Sequence, residues 1–303
     1  MKNVILDYYG GAVAARLDRS EKTLLSDVRF TISEGESLAL IGETGAGKTM
    51  TALSIMGLLP QNVRQSGARV VLCGRDITDP AAARKMLGDE LVYIPQSGAE
   101  HLNPALTVRR HMFDSAKRLG VGRAGLERAA KEKLADAGFS EPEEILDKYP
   151  FQLSGGMAQR VTIAISALAE AKLIIADEPT NGLDSEGKRR FFGMLGSLFP
   201  DAGKLIITHD MSVAGLCGRT AVLCGGRLAE TGASVKLLKA PKHPYTRALM
   251  AALVQNGMSE TPVLRPQNGE CPFFSRCPRA SGKCLATPEH RIEGDSDWWC
   301  CEV

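Results

Sequence analysis

The stretch GETGAGKT (residues 42–49) collects the residue types that a bound phosphate needs. Gly42, Gly45 and Gly47 let a backbone turn tightly and aim its N–H groups at one point, with Glu43, Thr44 and Ala46 as the intervening links. Lys48 adds a charge able to reach the β- and γ-phosphates of a nucleotide, and the Thr49 hydroxyl can ligate magnesium. A second pair of polar groups closes the run KLIIADEP (172–179). Asp177 could hold the same metal, directly or through water, and Glu178 could polarise an attacking water. The bland alternatives are a glycine-rich turn with a surface lysine and an exposed strand end. Together the two stretches point to phosphate chemistry.

These groups need elements to present them. SLALIG (37–42), ELVYIP (90–95), KLIIAD (172–177), KLIIT (204–208) and TAVLC (220–224) are short, nearly uninterrupted apolar runs, which predicts buried strands. ALSIMGLL (52–59) belongs to a helix following the first of them, so GETGAGKT sits between a strand and a helix, where the helix N-terminus favours an anion. Strands alternating with helical stretches predict a mostly parallel sheet covered by helices. From about 98 to 168 no strong strand is legible, and charge-rich helical patterns such as RAGLERAAKEKLADAG predict an inserted helical subdomain. After about 240 the composition turns proline-rich (Pro241, Pro244, Pro262, Pro266, Pro272, Pro278, Pro288), which places a boundary there and divides the chain into 1–240 and 241–303.

LSGGMAQR (153–160) resembles the signature motif of the ABC-type ATPases. With it Gln96 in YIPQ is similar to that family's Q-loop glutamine, Asp184 in NGLD to its D-loop aspartate and His209 in IITHD to its switch histidine. The resemblance covers residues 1 to about 240 and implies an α/β P-loop ATPase domain with a β-rich N-terminal part. It implies that Ser154, Gly155 and Gly156 bind the γ-phosphate of ATP held by an opposite subunit. It further implies that Gln96 and His209 sense that phosphate, that Glu178 is the catalytic base, and that Thr49, Gln96 and Asp177 surround Mg2+. The family often stacks adenine on an aromatic residue some 30 positions before the lysine. Here that region reads AVAARLDRSEK, without an aromatic residue and with Tyr8 and Tyr9 early in register, so the adenine contact is left open, the Arg16 guanidinium being one option for stacking.

HLNPALTV (101–108) and APKHPYTRALMAAL (240–253) resemble the oligopeptide, dipeptide and nickel importer branch. That resemblance implies two transmembrane permease subunits, an extracellular substrate-binding protein and a second ABC ATPase subunit, with a heterodimer favoured. It also implies a peripheral place on the cytoplasmic face of the cell membrane and a cargo of peptides, nickel or other metal complexes. The runner-up is a mechanical ABC ATPase acting on DNA or ribosomes. Only 58 positions separate Gln96 from Ser154, too few for the coiled-coil arm of the chromosome-type relatives, and a net charge of +2 excludes a strong nucleic-acid field.

Five of the eight cysteines lie in the last 33 residues. Cys271 and Cys277 have five residues between them, Cys277 and Cys284 six, and the next candidates are Cys301 or, alternatively, Cys300. Thiolates at these separations could wrap a soft metal, and spacing alone leaves zinc, an iron–sulfur cluster and disulfides open. The importer resemblance, through CPFFSRCP (271–278), implies a [4Fe–4S] cluster. The scattered Cys73, Cys217 and Cys224 are expected to be small buried apolar side chains. The start, MKNVILDYYGG, lacks the pattern of a signal peptide, and no run approaches 18 apolar residues, so a cytoplasmic chain is expected.

Overall fold

The computed structural model describes residues 3–17, 20–96, 101–117, 123–252, 271–286 and 288–302. Pro262, Pro266, Leu253 and the start of the helical insert near 98 lie outside them.

The N-terminal part is a set of short strands, β1 (Val4–Tyr9), β2 (Ala12–Leu17), β3 (Ser20–Ser26) and β4 (Arg29–Ser33), followed by β5 (Ser37–Ile41) and helix α1 (Lys48–Ile55). Then come β6 (Val63–Ser66), β7 (Arg69–Leu72), β8 (Arg75–Asp76), α2 (Pro80–Met86) and β9 (Leu91–Ile94). The helix after β5 is shorter than its apolar run: Leu58 and Leu59 lie beyond it, because Gly57 turns the chain with a φ of 67°. Cys73 departs from expectation. It is half-buried and left-handed (φ 48°) beside Gly74 in the β7–β8 hairpin, whereas Cys217 and Cys224 are buried.

The helical insert comprises α3 (Val108–Ala116), α4 (Arg123–Asp136), α5 (Pro142–Leu146) and α6 (Gly155–Ser166). Arg109 on α3 ties the group together, bonding Glu127 on α4 and Asp147 after α5. The remainder runs β10 (Leu173–Asp177), α7 (Ser185–Leu198), β11 (Gly203–Ile207), α8 (Met211–Ala214), β12 (Arg219–Cys224) and β13 (Arg227–Ala233). After them come α9 (Ser234–Lys239), α10 (Pro244–Ala251), β14 (His290–Glu293) and β15 (Ser296–Trp299).

The main sheet has the order β14-β15-β13-β12-β5-β11-β10-β9. Its five strands from β12 to β9 are parallel, and β13, β15 and β14 continue it antiparallel. Two faces must be covered, which explains the unbroken apolar runs. Leu38, Leu40, Leu173, Ile175, Leu205 and Ile207 face α1 and the N-terminal strands; Ala39, Ile41, Ile174, Ala176 and Ile206 face the core shared with the helical insert. This alternation is the period of two of a strand. Because β10, β11 and β5 are adjacent and parallel, their C-terminal ends emerge at one edge, where such sheets build their sites.

The segment beyond 240 is joined to this body. Glu230 on β13 is buried and accepts from the backbone N–H groups of Lys242 (2.8 Å) and His243 (2.9 Å), which fixes the turn into α10. Phe273 is buried against Tyr245, with ring centroids 5.4 Å apart, and the β14–β15 hairpin pairs through Trp298 with Glu230 of β13.

Candidate functional site

The phosphate loop leaves β5 and closes at α1. Gly47 precedes α1 at φ 104°, and a Cβ there would lie 2.4 Å from Leu25 Cδ2, so no other residue fits without displacement. Lys48 folds back over the loop, donating to the carbonyls of Gly42 (2.8 Å) and Glu43 (3.1 Å). Its pKa is lowered by burial, against the pull of Glu178, Asp177 and Glu43. The Thr49 hydroxyl donates to Asp177 Oδ2 at 3.2 Å, joining two groups 128 residues apart. Burial raises the Asp177 pKa, with the nearby Glu178 adding to the effect and Thr49 and Lys48 opposing it. A cation between Thr49 and Asp177 would relieve that cost, so this pair suits a hard divalent metal such as Mg2+.

Glu178 follows Asp177 with φ 46°, a left-handed backbone that turns its carboxylate toward the end of β11. There Oε2 accepts from the Thr208 hydroxyl (3.1 Å), while Oε1 accepts from the His209 backbone N–H (3.0 Å) and lies 2.7 Å from His209 Nδ1. Glu178 is mostly buried and His209 is two-thirds exposed, so an inward carboxylate is steered by an outward imidazole. Thr208 was not legible as a partner of Glu178; only the parallel register of β10 and β11 brings them together.

Thr44, Gly45, Gly47, Lys48, Thr49, Gln96, Asp177 and Glu178 line one open cavity of about 1280 Å3. Gly42, Glu43 and Ala46 form the loop's base behind it. Ser154, Gly155, Gly156 and Asp184 are exposed and do not line it. Ser154 caps α6 by accepting from Met157 N–H (3.3 Å), Asp184 caps α7 by accepting from Gly187 N–H (2.7 Å), and nothing stands within 4 Å of a Cβ built at Gly155 or Gly156. This second group therefore stands apart from the chain's own cavity. Gln159 on α6 bonds the Pro179 carbonyl, which ties the signature helix to the residue after Glu178.

Arg16 is exposed on β2 and does not line the cavity, whose outer wall is Ala12, Lys22, Leu24, Arg227, Pro272 and Leu285, with no aromatic ring among the described residues. Tyr8 is buried with its hydroxyl on Ser54 (2.8 Å), and Tyr9 bonds Asp27 (2.8 Å).

The thiols of Cys271, Cys277, Cys284, Cys300 and Cys301 all line one small cavity with Phe273, Phe274 and His243. In kind they suit a soft metal. In arrangement they do not yet form a coordination sphere: among the described residues no group of three or more His, Cys, Asp or Glu side chains is placed to hold a metal ion. Burial pushes the Cys271 thiol up to about 11 and also raises Cys277 and Cys301. Both Cys300 and Cys301 are buried at the cavity, so neither is set aside as fourth ligand.

The fold and the paired phosphate and carboxylate groups define a P-loop ATPase of the cassette type. Residues 25–181 match the family described as ABC transporter, and residues 229–284 match the C-terminal region of oligopeptide/dipeptide transporters. A probable peptide ABC transporter ATP-binding protein of Sinorhizobium fredii is 35% identical, over 88% of this chain and 85% of its own. The dipeptide transport ATP-binding protein of Bacillus subtilis is 32% identical over 95% of this chain and 88% of its own, and that of Escherichia coli 33% over 86% and 84%. A dimeric ATP-binding cassette in a post-hydrolysis state with ADP and Pi superposes with a TM-score of 0.66 at 23% identity, over 76% of this chain and 99% of that one. The structure of an ATP-binding subunit of an ABC transporter gives a TM-score of 0.62 at 28% identity, over 78% and 92%. The chain belongs to the ABC transporter ATP-binding family and is an ATPase. Among its described residues no helix is long and apolar enough to cross a membrane.

Proposed function

We propose that this chain is the ATP-hydrolysing subunit of an importer for dipeptides or oligopeptides. One observation carries the reading: Lys48, Thr49, Asp177 and Glu178 face a single cavity, in a chain similar to peptide-transporter ATP-binding proteins over most of its length. The loop and Lys48 would hold the phosphates, and Thr49, Asp177 and Gln96 are the residues that would hold Mg2+, which would supply charge neutralisation to the phosphate oxygens. Glu178 accepts a proton from the attacking water, held toward it by Thr208 and His209. Ser154, Gly155 and Gly156, with Asp184 beside them, serve the γ-phosphate of a second ATPase subunit; their exposure and distance from the chain's own cavity support that role. A related second chain, giving a heterodimer, two permease subunits, a substrate-binding protein outside and a peripheral place on the cytoplasmic membrane face complete the assembly.

Two finer points belong to the same proposal. Nickel or another metal complex is the alternative cargo. A [4Fe–4S] cluster, or zinc, on Cys271, Cys277, Cys284 and Cys301 or Cys300 is supported by the thiols' shared cavity and donor chemistry alone. Iron and sulfide analysis of anaerobically purified protein decides it; zinc or no metal would remove the cluster. The DNA- or ribosome-acting reading has no observation in its favour.

The test is uptake of a labelled dipeptide into vesicles carrying this chain with its co-purifying membrane proteins. ATP-dependent uptake that disappears with Lys48→Ala is expected. ATP hydrolysis with no permease recovered and no uptake would overturn the transport reading.

A further inference from the structure

Glu43, the second residue of the phosphate loop, is gripped from the C-terminal extension. Its backbone N–H donates to the Tyr245 hydroxyl at 3.0 Å. Its carboxylate accepts twice from Arg276 Nη1, at 2.9 and 3.0 Å, across 233 residues of sequence. The Glu43 carbonyl in turn accepts from Lys48 Nζ (3.1 Å) and from Ala46 N–H (3.0 Å). One residue thus links the loop's lysine to the extension.

The grip is more than a surface ion pair. An exposed pair contributes little. The Arg276 side chain is only 16% exposed, and its guanidinium lies over the rings of Phe273 (5.2 Å) and Tyr245 (5.9 Å), with Phe273 itself buried. Arg276 stands directly before Cys277, on the segment whose thiols share a cavity. The same segment sends Pro272 and Leu285 to the wall of the nucleotide cavity, where Pro272 packs against Gly225. A carboxylate in a phosphate-binding loop repels the anion it serves. Arg276 offsets that charge.

We propose that Arg276 and Tyr245 are positioning residues for the phosphate loop, so that the C-terminal extension sets the affinity of the nucleotide site through Glu43. This rests on the cavity being the ATP site. Arg276 neutralises and orients the Glu43 carboxylate. Tyr245 takes the Glu43 N–H, which fixes the loop's curvature while Lys48 exchanges its loop carbonyls for phosphate.

The test is a double-mutant cycle on the full chain, read as the Kd for a fluorescent ATP analogue with Mg2+ and as KM and kcat for ATP. Arg276→Ala is expected to raise Kd and KM about 10-fold, with kcat changed less than about 2-fold. In a Glu43→Gln background, where no carboxylate is left to neutralise, the same substitution is expected to change Kd less than about 2-fold. A loss of the extension's fold would act equally in both backgrounds, and equal effects overturn the proposal. Tyr245→Phe keeps the ring against Phe273 and removes only the hydroxyl; an increase in Kd of about 3-fold is expected. Wild type that binds the analogue while Arg276→Ala and Tyr245→Phe bind it equally well overturns this inference alone. Wild type that binds no nucleotide overturns the ATP-site reading with it.

Discussion

Glu178 is held by three donors or partners from one β-strand end, so its carboxylate cannot wander when a triphosphate arrives. Glu178→Gln keeps the shape and removes the basicity. ATP binding is expected to persist while turnover falls at least about 100-fold, the usual yield of a general base. Comparing single-turnover hydrolysis with nucleotide binding checks it, and turnover near the wild-type rate would remove Glu178 from that role. Gly47 is the other decisive single residue. Gly47→Ala meets both a φ of 104° and Leu25 at 2.4 Å. It is expected to cost about 1–3 kcal/mol of stability and to abolish nucleotide-induced stabilisation, both readable in one thermal unfolding series with and without ATP.

At the scale of an element, the turn into α10 stands on two buried titratable residues. Glu230 accepts from the backbone of Lys242 and His243, and His243 Nδ1 accepts from Tyr245 N–H at 3.0 Å to cap the helix. Burial lowers the His243 pKa to about 4, from 6.5 when unfolded. Below 6.5 the unfolded chain takes up the proton that the folded imidazole refuses. Stability is therefore full above about pH 6.5 and is lost as pH falls toward 4, by up to about 3 kcal/mol from this group. Glu230, raised by burial, works in the opposite direction over the acidic range, so the His243 share must be isolated by substitution. His243→Gln, measured by urea unfolding at pH 7 and pH 5, is expected to show a smaller drop than wild type. An unchanged drop would assign the slope to other groups. Because Tyr245 begins at this cap, the element that reaches the phosphate loop depends on it.

At the scale of the whole molecule, the proposed pairing with a second ATPase subunit predicts that the chain presents half of two sites. Its own cavity holds the loop and the carboxylates, while Ser154, Gly155 and Gly156 look outward. Gly155→Arg enters open space, so the fold is expected to lose less than about 1 kcal/mol and the isolated chain to bind ATP normally. In the assembled transporter the same substitution is expected to block hydrolysis at the opposing site. Normal hydrolysis there would show that this surface does not complete a partner's site. The extension also has a whole-molecule role, since β15 adds to the edge of β13 and covers strand backbone that would otherwise be open to pairing.

The strands that carry the site, the loop, Asp177 and Glu178, and the helical insert were legible by themselves, because buried parallel strands read as apolar runs and phosphate loops require glycine and lysine at set spacing. What lay beyond reading was contact across long separations. Arg16 lies exposed on β2 and outside the cavity wall, which Lys22, Leu24, Arg227, Pro272 and Leu285 help to form from distant parts of the chain. The pairing of Glu43 with Arg276, and of Glu178 with Thr208, follows from which strand ends and turns become neighbours once the sheet is assembled. Local residue order determines a strand, a turn or a phosphate loop through short-range sterics and hydrogen bonds. It carries no comparable signal for which distant side chain arrives beside it, and that was decided only when the packed faces of the sheet brought both ends of the chain to one edge.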